Sequence, residues 1–219
     1  MRTRILCLAV CAATLLVAAA PAAATTECRY LTSCESRTSP WIAVPSERTV
    51  VSGEASQASY AFPCPLGRYA AGFDWTPDRV DDVFLDVPYD GWGGYAPVFV
   101  LRNDHRDPGT AQIDIGCVPE PAGSRAAIEE DGATLRMTER RVRAGRVLDL
   151  RQRCETGERA AESGGAVLFE TKAPPSKRVL KGHVLALDSG ARGVRGTVTT
   201  ADFVGDDERV VLHLYAVCV

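Results

Sequence analysis

The chain has 219 residues, 46% of them apolar and 24% charged, a globular balance that excludes collagen-like, coiled-coil and broadly disordered readings. With 25 Lys and Arg against 28 Asp and Glu, the formal net charge of -3 provides no general electrostatic footprint for DNA or RNA, so no nucleic-acid partner is expected.

At the start of the chain, Met1 to Arg4 carries two arginines and Ile5 to Ala20 is almost wholly apolar. Pro21-Ala22-Ala23-Ala24 then places small residues where a signal peptidase reads, which predicts a signal peptide over 1–24 and an exported, secreted chain from Thr25. The apolar run is shorter than the ~20 residues that span a bilayer, so no membrane span is expected after cleavage. Losing Arg2 and Arg4 leaves 23 basic against 28 acidic residues, a net charge of -5.

Six cysteines remain after cleavage: Cys28, Cys34, Cys64, Cys117, Cys154 and Cys218. An even number in an exported chain predicts disulfides throughout. None lies in a CxxC pair and the histidines are scattered, so neither a metal site nor a cofactor is expected. Side-chain parity selects the pairing, because alternate residues of a strand share a face. Ala58, Tyr60, Phe62 and Cys64 form one apolar set, and Ile113, Ile115 and Cys117 form another. Leu148, Leu150 and Cys154 alternate with Asp149, Arg151 and Arg153, while Leu212, Leu214, Ala216 and Cys218 share a face. Cys64 is therefore expected to join Cys117 and Cys154 to join Cys218, with Cys28–Cys34 as a local clip.

The segment Cys64-Pro65-Leu66-Gly67-Arg68-Tyr69-Ala70-Ala71 matches Cys154-Glu155-Thr156-Gly157-Glu158-Arg159-Ala160-Ala161 as CxxGxxAA, and each copy closes on an apolar strand ending Cys-Val. This is the pattern of a duplicated unit. The expected organisation is an N-terminal segment at 25–40 with the clip, β-repeat 1 at 41–118, a linker at 119–123 and β-repeat 2 at 124–219.

Short runs rich in Val, Ile, Tyr, Phe and Thr are separated by Gly, Pro and Asp clusters: Val83 to Val87, Val98 to Leu101, Ala166 to Thr171, Val179 to Leu187, Val194 to Thr200 and Val210 to Val219. One helix is expected, around Arg125 to Glu130, broken by Asp131-Gly132. The predicted class is all-β: two tandem small antiparallel β-sandwich repeats, jelly-roll-like and disulfide-stapled, standing separately or assembled into one pseudo-symmetric sandwich.

With Cys64-Pro65-Leu66-Gly67, Gly72, Trp92, Asn103 and Cys117 in the first copy and Gly164-Gly165 in the second, the chain resembles exported bacterial proteins with tandem CPxG...GG...Cys β-repeats, mostly of unassigned role. The resemblance implies export and β-structure and transfers no catalytic residue.

Candidate sites are few. Glu162-Ser163-Gly164-Gly165 resembles the nucleophile segment of trypsin-like serine proteases, but Glu162 stands where those enzymes have Asp. The upstream His105 lacks their AlaHisCys context, so no triad is nominated and a secreted serine hydrolase using Ser163 is the alternative function. The acidic stretch from Asp74 to Asp90 suits hard cations such as calcium, but fits no EF-hand loop and reads as a solvated face. Seven arginines between Arg136 and Arg153 balance it, and the two read as separate wet surfaces. Tyr89, Asp90, Trp92 and Tyr95, in a glycine-rich loop, are the candidate ligand-binding residues, with aromatic faces for stacking and a carboxylate for sugar hydroxyls, while the competing and preferred reading of Trp92 is a plug at the end of the sandwich core. The leading expectation is a non-catalytic exported module that binds an extracellular glycan or another cell-envelope component.

Overall fold

The computed structural model describes residues 28–47, 56–78, 80, 82–86, 97–120, 133–201 and 209–219. The strands are β1 (Glu35–Thr38), β2 (Trp41–Val44), β3 (Ala58–Ala61), β4 (Arg68–Asp78), β5 (Asp82–Asp86), β6 (Val98–Arg102), β7 (Gly109–Pro119), β8 (Thr134–Val142), β9 (Val147–Arg153), β10 (Ala160–Phe169), β11 (His183–Gly190), β12 (Gly193–Thr200) and β13 (Val210–Cys218). A single helix among the described residues, α1 (Lys177–Lys181), precedes β11. The protein is all-β, and every strand pair among the described residues is antiparallel.

A central sheet runs β4-β7-β2-β10-β13-β8, with β1 lying beside β7 beyond the end of β2. Ser39-Pro40 interrupts the edge between β1 and β2, because proline cannot donate to the ladder. Ser39 repairs the gap: its N–H donates to the Ile113 carbonyl at 2.8 Å and its hydroxyl accepts from the Ile113 N–H at 2.9 Å. The sheets β3-β6-β5 and β11-β12-β9 cover opposite faces. Alternation along β10 and β13 distributes side chains between two cores. Ala166, Leu168 and Val211 pack with Ile42, Tyr60 and Phe99, whereas Val167, Phe169, Leu212 and Leu214 pack with Trp41, Val194 and Val198. Covered on both faces, β13 is buried at all nine positions.

The two halves follow one pairing scheme. In the first, β3-β6-β5 form one sheet and β4 pairs with β7; in the second, β9-β12-β11 form one sheet and β10 pairs with β13. Ala70 stands opposite Cys117 and Ala160 opposite Cys218, and in both strands the register shifts across the following alanine, Ala71 or Ala161. Gly67 and Gly157 occupy left-handed backbone at φ +78° and +98°, where a side chain would be strained. The halves are not separate bodies, since β2 pairs with β10 through Trp41↔Phe169, Ile42↔Leu168 and Ala43↔Val167. One central sheet therefore runs through both halves.

Three disulfides close the structure: Cys28–Cys34, Cys64–Cys117 and Cys154–Cys218, the pairing expected from parity. Cys117 and Cys218 are fully buried, as their strand faces required.

The run Val179 to Leu187 is not one strand. Pro174-Pro175 ends the preceding extended segment, the Ser176 hydroxyl accepts from the Val179 N–H, and one helical turn forms before Gly182 releases the chain into β11. Val179 and Leu180 therefore reach the core from a helix. β4 and β8 were not anticipated, because both are half-wet edge strands without clean alternation. The expected helix around Arg125 to Glu130 lies outside the described residues. No helix among the described residues is long and apolar enough to cross a membrane.

Candidate functional site

Tyr89, Asp90, Trp92 and Tyr95 lie outside the described residues. Of the acidic stretch, Asp74 and Asp78 lie on β4, and the Asp74 carboxylate accepts from the Trp75 N–H at 2.8 Å. Asp82 and Asp86 are the terminal residues of β5.

Ser163 pairs with Ala216 and so lies on the face that β11-β12-β9 covers. His213 belongs to the other face, where its ring meets Tyr60 at 4.8 Å between centroids. Glu162 also turns away from Ser163, accepting from the Tyr215 hydroxyl at 2.6 Å. His183 shares the Ser163 face but packs on Phe169, six residues along β10 and therefore about 20 Å away. The two glycines after Ser163 serve packing. A Cβ on Gly164 would stand 3.0 Å from both the Ser59 Cβ and the Tyr215 ring, and one on Gly165 would stand 2.5 Å from the His213 carbonyl oxygen and 2.6 Å from Leu214. Gly164 lets β3 and the Tyr215 ring approach β10, and Gly165 makes room for the β13 backbone and the Leu214 side chain.

Ligand atoms of Cys154, Glu158 and Cys218 lie within 4.8 Å of one another. The two sulfurs are bonded to each other, and Glu158 accepts from Arg136 at 3.0 Å and from the Glu155 N–H at 2.8 Å, so that donor set is committed. Arg136 holds the Glu158 carboxyl below the usual carboxylate range.

Two other places take shape only through pairings between distant strands. One is a pocket of about 490 Å³ where the halves meet, lined by Arg37, Tyr60, Phe62, Met137, Glu139 and His213. The His213 Nδ1 bonds Glu139 at 3.0 Å, while its buried Nε2 has no hydrogen-bond partner. That hydrogen bond lowers the Glu139 pKa, and burial raises that of the Tyr60 phenol. Arg37 lies over Phe62 at 5.4 Å and donates to the Pro63 carbonyl at 2.7 Å, which holds its guanidinium at the pocket wall. The signal in the sequence was a lone His and Tyr in the otherwise apolar β13.

The other is a pair of arginine-lined clefts at the two ends of β9. The larger, about 780 Å³, gathers Arg140 and Arg141 of β8, Arg143 and Arg146 of the turn, and Arg209 at the start of β13, over Val147 and Leu148. Its acidic neighbour is Glu170, 3.8 Å from Arg141 and 3.9 Å from Arg209. The smaller cleft, about 380 Å³, is lined by Arg151, Arg153, Arg192 and Arg195 with Asp188. Arg195 pairs with Asp149 and holds that carboxyl below its usual range. The guanidinium groups of Arg140, Arg143, Arg146, Arg151, Arg153 and Arg192 have no ion-pair partner among the described residues.

Fold and sites together define a disulfide-stapled, antiparallel all-β protein with open, polar surface clefts. No protein-family model matches the chain, and comparison with curated proteins and with solved structures likewise finds no match.

Proposed function

We propose that the protein is an exported, non-catalytic binding module, built from a duplicated β-unit, that acts at the cell surface or on an extracellular polymer. The observation that carries this reading is the environment of Ser163: the sole nucleophile segment nominated by the sequence is committed to sheet packing, with His213 on the opposite face of the sheet and His183 packed on Phe169 farther along β10. Three disulfides support an oxidising compartment. The shared pairing scheme and the paired register shifts at Ala71 and Ala161 support the duplication.

The test has two arms. A fluorophosphonate probe is expected to leave Ser163 unlabelled, while a screen of the purified protein against envelope glycans returns a saturable ligand. Serine labelling abolished by Ser163→Ala overturns the reading. Trp92→Ala assigns the aromatic loop: lost glycan binding at unchanged thermal stability places Tyr89, Asp90, Trp92 and Tyr95 at the ligand, and a loss of about 3 to 5 kcal/mol places Trp92 in the core.

A further inference from the structure

We infer that the two arginine clefts at the ends of β9 form one binding track for a linear polymer carrying phosphate or carboxylate groups on successive units. This rests on the binding-module reading and names its ligand chemistry. Guanidinium forks match phosphate and carboxylate oxygens in two-point geometry, and arginine is more weakly hydrated than lysine, so it surrenders water to such a ligand more readily. Both clefts are lined by arginine and neither by lysine.

Spacing is the argument for a polymer over a small anion. The clefts share β9, the larger through Val147 and Leu148 and the smaller through Arg151, Gln152 and Arg153. Seven residues of strand separate their outer limits by about 20 Å, beyond the reach of one phosphate or one lipid headgroup. Between them the exposed residues of β9 include Asp149, which Arg195 already neutralises, so no free acid interrupts the path along this strand. Glu170 and Asp188 answer only part of the charge. Among the described residues these six guanidinium groups form no ion pair, and all six residues are exposed, on a chain whose overall charge is -3. Charge held unpaired at this density, on a protein otherwise acidic, is matched by an anionic chain that follows the strand.

The experiment measures binding of the purified protein to poly(glycerol phosphate) and to polygalacturonate, against a neutral β-glucan, glycerol phosphate monomer, phosphatidylglycerol vesicles and double-stranded DNA. The expected result is saturable binding to at least one of the two anionic polymers, weakened by salt. Arg140→Ala/Arg143→Ala/Arg146→Ala and Arg151→Ala/Arg153→Ala/Arg192→Ala should each lose about tenfold or more, and the corresponding triple Lys variants should retain a measurable part. Unchanged affinity in both Ala triples overturns the track, as does monomer competing as well per anion as polymer, or tighter binding to vesicles or DNA. Binding to the neutral glucan alone overturns the track and leaves the module reading standing. Serine labelling overturns the module reading irrespective of the clefts.

Discussion

Ser163 and His213 stand on opposite faces of the central sheet, although their strands, β10 and β13, are hydrogen-bonded neighbours. A one-residue difference in parity is enough, because successive side chains point to opposite sides. Ser163→Ala is therefore expected to change stability by no more than about 0.5 kcal/mol and to leave probe labelling at background. A urea denaturation curve and a labelling gel check both.

The neighbouring glycines should behave differently. A methyl group on Gly165 meets backbone, the His213 carbonyl oxygen at 2.5 Å, whereas on Gly164 it meets the Ser59 and Tyr215 side chains at 3.0 Å. Gly165→Ala should cost about 3 kcal/mol and Gly164→Ala about 1 to 2 kcal/mol, since side chains yield and a sheet backbone does not. Equal midpoints for the two variants in chemical denaturation would contradict the layered packing.

Acid should weaken the fold in two windows. Burial holds the His183 imidazole below its ordinary value of 6.5, opposed by its hydrogen bond to the Val179 carbonyl. The unfolded chain thus takes up a proton more readily, and stability present above pH 6.5 falls as pH drops through the folded value. Glu139, lowered by its hydrogen bond to His213, contributes above its ordinary value of 4.5 and loses that contribution at lower pH. His183→Phe should flatten the Tm profile between pH 7 and 5, and an unchanged slope in that variant assigns the loss to another group.

The disulfides should differ in weight. By loop entropy, the separations of 53 and 64 residues correspond to about 4 kcal/mol each, against about 2 kcal/mol for the clip of separation 6. Cys154→Ala/Cys218→Ala should lower the denaturant midpoint well beyond Cys28→Ala/Cys34→Ala. Equal losses would mean that the closed loops are already compact when unfolded.

The clefts illustrate why part of the site was illegible. Net charge averages over the whole surface, so a chain of -3 concealed a local excess of arginine. The run from Arg136 to Arg153 was visible, but Arg209 and Arg192 join it only through the β13–β8 and β12–β9 pairings. Arg136, the first of the run, departs instead to Glu155 and Glu158.

What the sequence by itself determined follows from local rules. Strand parity and cysteine count led to the all-β class and the three disulfides, because a side chain's face depends only on its neighbours along the strand. CxxGxxAA recurs where Gly67 and Gly157 take left-handed backbone, a steric demand that is local too. Only the tertiary structure decided that β13 is buried on both faces, that β2 and β10 fuse the halves, and that His213 and Glu139 meet. Those outcomes depend on which layer covers which face, a choice made by pairing between residues far apart in the chain. Trp41 against Phe169 settles it, since their antiparallel register turns the two halves' covering sheets to opposite sides.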